Sequence, residues 1–171
     1  MKKSFVFIGV FIFQSLLMYS KDSITVYMFL LDECRICQEL SPEMNAIYEK
    51  YGNAIGFIGL FPNFSSKKKG IDAFKKKYNI KFNTKTDYFK TQATKFTATI
   101  LPEVIVYNET TKEIIYRGSI NDLFYSPGKR RQHIANHYLR DALDATLKNQ
   151  IPAIRETKPI GCYINFNDAL N

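Results

Sequence analysis

Two cysteines, Cys34 and Cys37, stand two residues apart in FLLDECRICQELSPEMNAIYEKY, Phe29 to Tyr51. An apolar run ends just before them and a helical pattern starts just after. On a helix this spacing puts both sulfurs within one turn, where one thiol is close enough to attack a disulfide formed by the other. Three readings fit such a pair: a redox couple, half of a metal site, or two buried core thiols. No second Cys-x-x-Cys and no His-x-x-x-His stands at finger spacing to complete a zinc site. Free cysteine buries readily, so the core reading remains.

Other residues could join this chemistry. Cys162 lies beside Gly161 near the C-terminus. It reads as a buried anchor for the tail, as a second resolving thiol that reaches Cys34, or as a partner for an intermolecular disulfide. His133 and His137 are expected one helical turn apart. With Cys34 and Cys37 they make the alternative metal set, as in a copper chaperone. GKRRQH, Gly128 to His133, is a basic loop, read as a solvated face.

The elements that must position these residues follow from apolar periodicity. SITVYMFLLDE is continuous and β-branched before a polar stop, as a strand buried on both faces should be. Leu40, Met44, Ile47 and Tyr51 fall three or four apart, and Gly52 ends that helix. Ala54–Phe61 reads as a second buried strand. SSKKKGIDAFKKKYNI reads as an amphipathic helix with Ile71, Phe74 and Tyr78 inward, and DYFKTQATKF as a short helix. LPEVIVYNETTKEIIYRG reads as a strand, a turn at 108–112 and an antiparallel partner. ANHYLRDALDATLKNQ is a closing helix with Leu139, Leu143 and Leu147 on one stripe. The last stretch, 151–171, has no clear period.

Length and charge bound the functional classes. The chain has 171 residues, 46% apolar and 23% charged, which suits one domain of ordinary size. The formal net charge is +8. The lysine clusters at 65–69 and 75–77 read as solvated helix faces, and no aromatics interleave with them to make a nucleic-acid platform. MKKSFVFIGVFIFQSLLMYSKDS has a basic start and an apolar stretch from Phe5 to Met18. That is short for a membrane span and suits a signal peptide over 1–20, with an uncleaved anchor as the alternative. Export places the chain in an extracytoplasmic, oxidising compartment such as the periplasm, where cysteine pairs form disulfides.

The order β-α-β-α-(α)-β-β-α gives an α/β fold. A central mixed sheet carries a C-terminal antiparallel hairpin and helices on both faces, with the domain over 23–150 and a tail over 151–171. A strand, Cys-x-x-Cys, a helix, and a proline opening a strand before a terminal hairpin together resemble the thioredoxin fold. In that fold Cys34 sits at a helix N-terminus, where unpaired N–H groups and the helix dipole favour a thiolate. Cys34 is then the exposed nucleophile and Cys37 the shielded resolving thiol. Arg35 between them adds positive charge. Glu33 and Glu103 are the nearest acids for relaying a proton.

Four motifs carry a closer resemblance: DEC at Asp32–Cys34, LPEVIV at Leu101–Val106, YRGSIND at Tyr116–Asp122, and TKPIGCYI at Thr157–Ile164. From Ser23 onward the chain resembles exported thioredoxin-like redoxins, AhpC/TSA-like and TlpA/ResA-related. The resemblance implies a thiol–disulfide oxidoreductase without a cofactor, exchanging disulfides with protein substrates and a redox partner protein. It implies that Pro102 is a cis-proline facing the disulfide, and that Leu101 offers backbone groups to an extended substrate peptide. The sequence also departs from the pattern. The acid that assists thioredoxin falls at Met28, which moves no proton. The peroxidatic Pro and Thr are missing from YMFLLDEC, which argues against peroxidase activity. Nothing in the tail pattern places Cys162 relative to Cys34, so Cys162 is expected to be dispensable for basic exchange.

Overall fold

The computed structural model describes residues 23–167. The expected signal segment, 1–20, lies outside them. The central strand β1 (Ile24–Phe29) is followed by α1 (Arg35–Tyr51), β2 (Gly56–Phe61) and α2 (Lys68–Lys77). Then come β3 (Asn83–Thr86), α3 (Thr91–Lys95), β4 (Ile100–Leu101), β5 (Glu103–Asn108) and β6 (Glu113–Gly118). A small hairpin, β7 (Phe124–Ser126) and β8 (Lys129–Arg130), precedes α4 (Tyr138–Leu147) and β9 (Cys162–Tyr163).

The main sheet has the order β3-β2-β1-β5-β6. β1, β2 and β3 run parallel, while β5 and β6 run antiparallel beside β1. The β1-α1-β2-α2-β3 path advances in one direction across the sheet. Right-handed crossovers therefore put α1 and α2 on the same face. Ring contacts agree: Tyr48 of α1 meets Phe57, and Phe74 of α2 meets Phe61, two alternate residues of β2. α4 joins that face through Arg140, which donates to Glu43 of α1 at 2.6 Å, and through Tyr51, whose hydroxyl donates to Asp144 at 2.7 Å. α3 covers the opposite face, where Phe96 packs on Tyr27, Phe29 and Tyr107.

The helix stripes bury as the periodicity predicts. Leu40, Met44, Ile47 and Tyr51 are all buried, as are Ile71 and Phe74. Strand β8 of the small β7–β8 hairpin falls where the sequence reads as a basic loop, and three further elements differ from the sequence reading. β3 was not expected, because its residues NTKT are mostly exposed and carry no apolar alternation; it pairs with β2, where Thr84 lies over Gly59. The closing helix starts at Tyr138, three residues later than its pattern, because Asp122 accepts hydrogen bonds from the backbone of Ala135 and Asn136 and holds that stretch as a loop. Leu139 and Leu143 are buried, but Leu147 is half exposed at the helix end. Finally, the tail is ordered and contributes a strand, β9.

Candidate active site

β1 delivers the chain to the rim of the sheet. Leu30 still donates to Leu60 at 2.8 Å, and a turn then closes with Cys34 donating its N–H to the Leu31 carbonyl at 3.1 Å. Cys34 is the N-cap of α1, with an extended backbone and no side-chain cap hydrogen bond. No acidic residue stands in the first turn. The sulfur is thus the negative group available to the helix N-terminus.

Cys34 acts both as donor and as acceptor. As a thiol it donates to the Leu101 carbonyl at 3.3 Å. As a thiolate it accepts from the thiol of Cys37, from the thiol of Cys162, and from the backbone N–H groups of both. The Cys37 thiol has the largest effect. Burial opposes ionisation, but the donors outweigh it and draw the Cys34 pKa down to about 5. Cys37 is fully buried, and burial together with the hydrogen bond and charge of Cys34 pushes its thiol well up. Burial and the neighbouring Cys34 likewise push Cys162 up to about 12. One thiolate is therefore shared among three sulfurs and resides on Cys34. All three cysteines are free thiols here.

Leu101 meets Cys34 through its carbonyl, and Pro102 follows it. The peptide between them is cis, and β4 ends at Leu101. Cys162 is brought in by β9, which pairs antiparallel with β4 so that Leu101 faces Cys162 and Ile100 faces Tyr163. Ile164 extends the ladder by donating to the Thr99 carbonyl at 2.9 Å. A Cβ at Gly161 would stand 2.0 Å from the Leu101 oxygen, so only glycine permits this approach.

The tail is fastened on both sides of that point. Before it, Thr157 donates its N–H to the Arg117 carbonyl at 3.0 Å, and its hydroxyl accepts from the Ser119 N–H at 2.9 Å. Gly118, at φ +132, gives Thr157 room, since a Cβ there would lie 2.2 Å from the Thr157 hydroxyl. Beyond it, Asn63 donates to the Tyr163 carbonyl at 3.1 Å and accepts from the Asn165 N–H at 2.9 Å. Sequence reasoning named Gly161 and Thr157 without giving them a role, and missed Asn63. The Gly-Cys dipeptide was the available signal for the first.

Other expected residues stand elsewhere. Cys34 is only 1% exposed, against the expected exposed nucleophile, because Leu101, Cys37 and Cys162 enclose it. Arg35 is exposed and donates to Glu39 at 2.7 Å, so it supplies none of the hydrogen bonds that lower Cys34. Glu33 is exposed. Glu103 is buried and bound by Arg117 at 3.0 Å and by the Thr99 N–H at 3.3 Å, which occupies both its oxygens. His133 lies in a loop and His137 is the N-cap of α4, so they do not share a helical face. Among the described residues no group of three or more His, Cys, Asp or Glu is disposed to hold a metal ion.

This arrangement has relatives in shape. An uncharacterized conserved protein from Geobacillus kaustophilus superposes with a TM-score of 0.73 at 19% identity, over 86% of this chain and 79% of the other. A thioredoxin-like protein solved in its oxidised form gives 0.57 at 14%, over 76% and 81%. The fold is the thioredoxin fold. A thiol-disulfide oxidoreductase from Bacteroides fragilis gives 0.52 at 16%, over 74% and 80%. No family model and no curated protein matches the chain. Here the N-cap of α1, at Cys34, lies against the Leu101 carbonyl, beside the cis Leu101-Pro102 peptide. No helix among the described residues is long and apolar enough to cross a membrane.

Proposed function

We propose that the protein is an exported thiol–disulfide oxidoreductase that exchanges disulfides with protein substrates through Cys34 and Cys37. The observation that carries this is the opposed state of the two sulfurs: Cys34 drawn down to about 5 at a helix N-terminus, Cys37 pushed up in full burial one turn on. Such a pair divides the labour of exchange. The Cys34 thiolate attacks a substrate disulfide, one substrate sulfur leaves, and a mixed disulfide forms. Cys37 then attacks Cys34, the second substrate sulfur leaves as a thiol, and Cys34–Cys37 closes. Cys37 is protonated at rest, kept so first by its burial and then by the hydrogen bond and charge of the Cys34 thiolate. Once Cys34 is bonded that charge is gone, and Cys37 ionises more easily at the moment it must attack.

The thiol-disulfide oxidoreductase from Bacteroides fragilis, a relative in shape, supports this reading. Export rests on the basic and apolar N-terminal segment. The test is reduction of a model protein disulfide by purified protein with a thiol reductant, beside Cys34→Ser and the double variant Cys37→Ser, Cys162→Ser. Turnover by wild type, none by Cys34→Ser and a trapped mixed disulfide in the double variant, which keeps no second thiol beside Cys34, are expected. Wild-type protein that turns over no faster than the reductant alone would end the proposal.

A further inference from the structure

The tail strand sits where a substrate would. β4 ends at the rim beside Cys34, and its backbone groups are those an extended peptide uses when it adds to a sheet edge. β9 already occupies them, in antiparallel register, with Cys162 opposite Leu101. Gly161 lets the tail backbone close onto the Leu101 carbonyl, the same oxygen that Cys34 contacts. Thr157 and Asn63 pin the strand on either side. A buried Cys34 cannot attack a protein disulfide until this edge is vacated.

We propose that β9 is a built-in substrate mimic: it presents Cys162 to Cys34 as a substrate peptide would present its sulfur, and the two form a reversible internal disulfide that closes the site. This rests on the redox reading of Cys34 and Cys37. The step is thiol–disulfide exchange. Starting from oxidised Cys34–Cys37, the Cys162 sulfur loses its proton to solvent and attacks Cys34. The Cys34–Cys162 bond forms, the Cys34–Cys37 bond breaks, and Cys37 leaves and takes up a proton. One disulfide is exchanged for another, with no net gain or loss of electrons. The reverse attack by Cys37 releases Cys162. An incoming peptide must displace β9 before it can pair with β4.

The experiment uses full-length Cys37→Ser and wild type, each reduced and then treated with glutathione disulfide. Remaining thiols are alkylated, and the bonds are mapped by mass spectrometry without reduction. In Cys37→Ser the expected product is a monomer with a Cys34–Cys162 bond, two glutathione molecules being released per bond formed. Wild type should show Cys34–Cys162 beside Cys34–Cys37. Glutathione retained on Cys34 of Cys37→Ser, or dimers through Cys162, would overturn the proposal. Gly161→Val provides a second measure. It should lose the Cys34–Cys162 bond and, when reduced, have Cys34 alkylated at least about tenfold faster than wild type, as a protected site does when its cover opens. An unchanged rate overturns the closure. Wild type that reduces a model disulfide while Cys162 stays fully alkylatable overturns the mimic alone. Wild type that forms neither bond and reduces nothing overturns the redox reading itself.

Discussion

The N-terminus of α1 and the tail strand β9 each bring a cysteine to the same sulfur cluster, by opposite means. Cys34 and Cys37 are placed locally. A buried strand, a tight turn and a helix stripe on the core fix them within a few residues of chain. Cys162 is placed remotely. Ile164 near it is buried in the core and Ile160 packs against that core, and the position of Cys162 comes from β4, from Thr157 hydrogen-bonded to β6, and from Asn63 after β2. The first region stands on many core side chains, whereas the second is held by a two-residue ladder, a few polar contacts and little apolar burial beyond Ile164, which makes it the more removable of the two.

The largest test of this contrast is on turnover. Cys34→Ser should bring reduction of a model disulfide to background, whereas Cys162→Ser should reduce it faster than wild type, because the edge of β4 is then held without a covalent lock. Equal loss in both would mean that the tail thiol is part of the reaction itself. Stability should divide the regions next. Met44→Ala removes a fully buried side chain beneath α1 and should cost about 2–5 kcal/mol in a denaturant titration. A loss below about 1 kcal/mol would show that the helix does not stand on that core.

Ionisation gives a finer division. Cys37→Ala and Cys162→Ala should each raise the Cys34 pKa from about 5, the first more than the second, since the Cys37 thiol is its strongest donor. Thiolate absorbance against pH reads both, and the reverse order would make the tail the main stabiliser of the charge. The same shift governs stability. The folded pKa of Cys34 lies below its ordinary value of 9.0, so its contribution is full above that value and is lost as pH falls toward about 5. Cys37 and Cys162 are raised, so they oppose folding only at alkaline pH, where the unfolded chain ionises them first. Reduced protein should gain stability relative to its Cys34→Ser variant between about pH 5 and 9, as read by denaturant midpoints at several pH values. Parallel curves for the two proteins would contradict this. The smallest effect belongs to Asn63→Ala, which removes two hydrogen bonds from the tail and should cost about 1–3 kcal/mol at most. Amide exchange should quicken at Ile164 and Asn165 while α1 stays protected.

What the sequence made legible follows the same division. β1 and α1 could be read because period and burial are local properties, and the redox pair followed from its place between them. β3 could not, since an edge strand of polar residues has no apolar alternation to show. The motif YRGSIND was visible as a string, but its purpose was not. Tyr116 and Ser119 bind Thr157, Gly118 makes room for it, Arg117 binds Glu103, and Asp122 holds the loop before α4. Each of those partners is remote in sequence or lies in a stretch without period. The burial of Cys34 was missed for the same reason: its cover comes from the far end of the chain. His133 and His137 looked like one helical turn because spacing alone cannot show that Asp122 keeps the intervening backbone out of a helix.

A strand tethered beside its own docking edge competes as a local reservoir of ligand. Short intramolecular links commonly give effective concentrations of about a millimolar. A free peptide that pairs with β4 no better than β9 does must approach that concentration to hold the edge half the time. Dilute, weakly binding disulfides are thereby screened out. The partners admitted are those that bring extra contacts of their own, enough to lift Gly161 from the Leu101 carbonyl.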